Sequence, residues 1–117
     1  TYIDDVAESV LRCCYKPATP SKEFDDLSPN PAISNSPYRI FNIGNSNPVE
    51  LLNFIEILEN ALGKKAIKDL QPIQPGDVVN TAANTKTLQD WISFKPIISI
   101  EKGVDKFVNW FLDYYQF

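Results

Sequence analysis

The chain has 117 residues, enough for one domain with a modest core, and its 44% hydrophobic and 22% charged content is that of an ordinary globular protein. Eleven Lys and Arg against fifteen Asp and Glu leave a net charge of −4, and the cations are scattered, so no basic stripe is present to neutralise nucleic-acid phosphates. No apolar run reaches bilayer-spanning length and no signal-peptide pattern opens the chain, which argues against a membrane partner.

Thr1-Tyr2-Ile3 predicts the tail of a strand running straight into a helix, and with no Met anywhere the sequence reads as a piece cut from a longer protein. Asp4 and Asp5 are expected to cap a helix through about Tyr15, because carboxylates accept orphan amide hydrogens and suit the positive end of the helix dipole. Paired carboxylates ahead of an apolar stripe (Val6, Val10, Leu11, Cys14) are a helix start before they are a catalytic pair. Cys13 and Cys14 are adjacent on that helix, about a hundred degrees apart, so they do not bridge each other. With no His and no further Cys to complete a metal shell, they read as small fillers, and unpaired thiols point to a reducing, cytoplasmic setting. Residues 16–37 form a Pro-rich loop of a length that is either functional or mobile, with Phe24 and Leu27 expected to pin its middle.

Tyr38 to Ile43 predicts a strand from its β-branched and aromatic content. Asn47-Pro48-Val49-Glu50 then predicts a helix start, with an Asn cap, Pro first and Glu third; Leu51, Leu52, Ile55, Leu58 and Leu62 carry the helix to a stop at Gly63. Ala66 to Leu70 fits a short strand feeding the turn Gln74-Pro75-Gly76-Asp77. A short helix starts at Asn84 or Thr85 and ends near Trp91, before Phe94-Lys95-Pro96. Ser99 caps a terminal helix striped by Ile100, Val104, Phe107, Val108, Phe111, Leu112 and Tyr115. Its Tyr and Trp side chains offer either a stacking platform for a base or, more in keeping with a single apolar face, a packing surface. The expected fold is α/β, a small sheet of short strands covered by helices, as one domain over 1–117.

The chemistry-bearing feature is the turn. Pro then Gly leaves backbone free and sets an anionic acceptor beside it, a combination able to grip the hydroxyls of a sugar or nucleotide. In order, Thr-Tyr-Ile-Asp-Asp-Val (1–6), Tyr-Arg-Ile-Phe-Asn-Ile-Gly-Asn (38–45), Asn-Pro-Val-Glu-Leu (47–51), Gln-Pro-Gly-Asp-Val (74–78) and Phe-Lys-Pro (94–96) resemble the C-terminal part of NAD-dependent nucleotide-sugar epimerases of the extended short-chain dehydrogenase/reductase family. The nearest branch is that of the UDP-glucuronate 4-epimerases of capsule and lipopolysaccharide synthesis.

The resemblance implies a C-terminal substrate-binding domain whose partners are a UDP-sugar and a missing N-terminal Rossmann domain, in a homodimeric parent. In that family NAD and a Tyr-x-x-x-Lys pair sit in the Rossmann half. Here no tyrosine has Lys four residues later and the glycines (44, 63, 76, 103) are far apart, so this chain is expected to bind no NAD and to be inactive alone. What carries over is the Gly-Asp turn: Asp77 matches the Asp that lies near the ribose hydroxyls, Gly76 its neighbour, and Gln74 stands where relatives carry an Arg near the phosphates. Asn84 departs from the family's usual Asp but keeps a cap. Asp77 as a plain turn residue, a dehydratase or decarboxylase of the same sugars, and a non-enzymatic interaction module are the competing readings.

Overall fold

A computed structural model describes residues 1–78 and 81–116. Among them lie four helices, α1 (Ile3–Tyr15), α2 (Leu51–Leu62), α3 (Lys86–Ile92) and α4 (Ile100–Tyr115). They fall into two units. One holds Thr1, 3–46 and 83–97; the other holds Tyr2, 47–82 and 98–117.

The expected α/β fold with a small sheet is not what the described residues form. They contain no strand, only an isolated antiparallel bridge between Ile33 and Arg39. Ile3 starts α1 instead of ending a strand, while residues 38–43 and 66–70 have strand-like composition but no ladder. Composition measures how well side chains suit a pleated, half-buried surface; a strand also needs a neighbour to take its amides and carbonyls. The 38–43 segment is held mainly by side chains: Phe41 lies 6.0 Å from the Trp91 ring and the Arg39 guanidinium 4.6 Å above it. Ile67 is fully exposed, with nothing to pack a strand against.

In the first unit α1 packs on α3, and Leu88, Ile92 and Pro96 are buried. The buried line of α1 is polar, Asp5 and Ser9, whereas Val10 and Leu11 of the expected stripe are about half exposed. Ser9 satisfies its hydroxyl on the Asp5 carbonyl at 2.7 Å, and the Asp5 carboxylate accepts the Ile97 amide at 3.2 Å, so both buried polar side chains of α1 are paired. The 16–37 segment is a chain of short turns. Asp25 and Asn30 side chains accept the amides of Leu27 and Ala32, and Ser21 donates its amide to the Ser34 carbonyl at 2.8 Å. Phe24 is half-buried, but Leu27 is 96% exposed and pins nothing.

The second unit pairs α2 with α4, whose buried line is Gly103, Val104 and Val108. The Tyr2 ring closes over Gly103, where an added Cβ would meet ring carbon at 3.2 Å. Helix α2 begins at Leu51, later than the Asn-Pro start predicts. Glu50, with φ −65° and ψ 143°, is the N-cap and makes no side-chain bond. The helix ends as expected at Gly63, left-handed at φ 65°. Thr85 stands at the N-cap of α3 without a side-chain cap bond, and the Ser99 hydroxyl accepts the Lys102 amide at 3.4 Å to cap α4.

Candidate functional site

The turn that the sequence singles out forms. The Asp77 amide donates to the Gln74 carbonyl at 3.1 Å, and Gly76 sits at φ +94°. Pro at the second position and a positive φ at the third define a type II β-turn, the geometry that favours glycine there. Gln74, Gly76 and Asp77 are all exposed, so the structure brings the three candidate residues together at the surface. The Gln74 side-chain amide donates back to the Pro72 carbonyl at 3.3 Å. Asp77 is exposed, and an ionised carboxylate can accept the stronger, charge-assisted kind of hydrogen bond. Residues 79 and 80, directly after the turn, lie outside the described residues.

The segment leading to the turn is fixed by a residue the sequence reading passed over. Glu59, near the end of α2, is 5% exposed and accepts three hydrogen bonds: from Lys65 Nζ at 2.7 Å, Lys68 Nζ at 2.6 Å and the Ala66 amide at 3.0 Å. Those donors, Lys65 first, pull its carboxyl down to about 2 from the ordinary 4.5, so it is ionised at neutral pH. The signal lay in a Glu followed by lysines six and nine positions on. Helical pairing rules look only three and four residues away, and here the chain doubles back at Gly63.

Asn84 keeps the local role expected of it: its side-chain oxygen accepts the Lys86 amide at 3.1 Å at the start of α3. Cys13 and Cys14 are both free thiols; burial, then the neighbouring Cys14, pushes the Cys13 thiol up, away from the thiolate form. No group of His, Cys, Asp or Glu suited to a metal ion is found among the described residues. The four glycines occupy separate places: Gly44 against Ala83, Gly63 at the end of α2, Gly76 in the turn, Gly103 under Tyr2. They do not gather into one glycine-rich loop.

No family model matches the chain. Curated relatives do, along nearly all of it. Protein CapI of Staphylococcus aureus is 48% identical over 99% of this chain and 35% of its own length. A probable UDP-glucuronate 4-epimerase of Rhizobium meliloti (strain 1021) is 39% identical over 99% of this chain and 34% of its own. UDP-glucuronate 4-epimerase 1 of Arabidopsis thaliana is 35% identical over the whole chain and 26% of its own length. Among solved structures, a UDP-glucose 4-epimerase from Bifidobacterium longum, in complex with NAD+ and UDP, superposes with a TM-score of 0.69 over 93% of this chain and 28% of that one, at 17% identity, a likeness of fold. The chain is thus a homologue of nucleotide-sugar epimerases and spans about a third or less of their length.

Proposed function

We propose that a chain homologous to nucleotide-sugar epimerases along its whole length serves as the UDP-sugar-binding part of such an enzyme, a UDP-glucuronate 4-epimerase of polysaccharide synthesis in the cytoplasm. The observation that carries this reading is the match to named UDP-glucuronate 4-epimerases over 99–100% of the chain. An exposed type II turn supports it: in this reading the Asp77 carboxylate accepts ribose hydroxyls, and Gln74 stands where relatives carry an Arg near the phosphates. NAD and the proton-transfer groups are assigned to the rest of the homodimeric parent. This chain's glycines and tyrosines do not build those sites, and by itself it is inactive.

Titrating the labelled chain with UDP tests the reading. Amide shifts at Gln74, Gly76 and Asp77 are expected, and Asp77→Ala should lose on the order of 1.5–3 kcal/mol of binding, tenfold or more in affinity. Absence of shifts at millimolar UDP would overturn it. Unchanged affinity with lowered thermal stability would make Asp77 a turn residue only. One observation favours a second reading, an interaction module: the aromatic side chains Trp110 and Tyr114 form an exposed stacked pair on α4, 5.4 Å between ring centres. Binding of UDP at the turn separates the two.

A further inference from the structure

We infer that Glu59 is the positioning residue of the Gln74–Asp77 turn, holding it in place through the connector that follows α2. Residues 64–78 contain no helix or strand. Among the described residues, the connector's hydrogen bonds to α2 or α4 are the Lys64 amide on the Glu59 carbonyl at 3.2 Å and the three bonds to the Glu59 carboxylate. One side chain therefore supplies most of the attachment. An ionised carboxylate that is 5% exposed has strong reason to keep its donors, because losing them would strand a charge out of water.

The anchor is transmitted to the turn by a stiff stretch. Only residues 69–73 separate Lys68 from Gln74, and they are braced locally: Gln71 donates to the Asp69 carboxylate at 2.6 Å, and Gln74 to the Pro72 carbonyl. Pro72 and Pro75 fix two further backbone angles. Pinning 65–68 thus restricts where 74–77 can lie. The consequence for ligand rests on the proposed function. If a freed turn holds its binding shape a tenth of the time, apparent affinity falls about tenfold.

The test uses Glu59→Gln and, so that the result does not hang on one variant, the pair Lys65→Ala/Lys68→Ala, which changes no residue of α2. Backbone order parameters from nuclear relaxation are expected to drop across 66–77, from near 0.85 toward roughly 0.6, while those of α2 and α4 hold. Lys65→Arg/Lys68→Arg should restore them. UDP affinity, read on the same samples, should fall about tenfold and recover with the arginines. Unchanged order parameters at the turn in both variants would overturn the inference, as would looser dynamics with undiminished UDP affinity. If the starting chain binds no UDP yet the turn loosens as expected, the tether stands and the proposed function falls.

Discussion

A glutamate almost wholly shielded from water is tolerable only when its lone pairs are used, and Glu59 uses them on two lysines and an amide. This makes it a sensor of acid. Its carboxyl titrates near 2 when folded and near the ordinary 4.5 when unfolded. A carboxyl depressed by folding contributes stability that is complete above the unfolded value and drains away as pH falls toward the folded one. Denaturant melts should therefore show the chain losing more stability between pH 4.5 and about 2 than Glu59→Gln, which has no proton to take up. Parallel curves for the two would mean that the three bonds are not kept in solution. At the same scale the turn was legible and its anchor was not. Pro-Gly-Asp announces itself by backbone chemistry, whereas Glu59 meets its partners only after the chain reverses at Gly63.

Most helix ends followed from local rules, the start of α2 excepted. Ser99 caps α4 as expected and Gly63 ends α2, because each acts through bonds within a few residues. Ser99→Ala should cost about 1 kcal/mol. Thermal unfolding checks this, and a loss no larger than that of an exposed Ser→Ala elsewhere would show the 3.4 Å cap to be weak. The predicted strands failed because their existence depends on partners far along the chain, which composition does not name. The apolar stripe of α1 failed for a related reason. Its buried side is set by Asp5 reaching Ile97, ninety-two residues on, and not by Val10 or Leu11. Periodicity located the helix but not the face it buries.

Taken as a whole, the described chain leaves much apolar surface in water. Leu51 and Leu52 on α2 and Trp110 and Tyr114 on α4 are each more than half exposed, and its relatives are about three times as long or longer. Patches of this kind bind something, and alone in solution the available partner is another copy. Sedimentation at rising concentration should show reversible association, weakened by Trp110→Ser together with Leu52→Ser. A monomer at every concentration would mean the exposed residues are too dispersed to act together. No helix among the described residues is long and apolar enough to cross a membrane.

The two tryptophans are divided evenly, Trp91 in one unit and Trp110 in the other, and their surroundings differ sharply. The Trp91 indole lies under the Lys16 ammonium and the Arg39 guanidinium, each 4.6 Å from the ring centre, and donates its N–H to the Lys16 carbonyl at 3.1 Å. Trp110 stacks on Tyr114, which absorbs nearby in the ultraviolet and can pass its excitation on. Each unit therefore carries its own fluorophore, one under cations and one fed by a phenol. Trp91→Phe leaves emission from the second unit alone, and Trp110→Phe leaves that of the first. Denaturation followed by the light of each variant reads one unit at a time, and the gap between the two midpoints measures how far the halves melt as one.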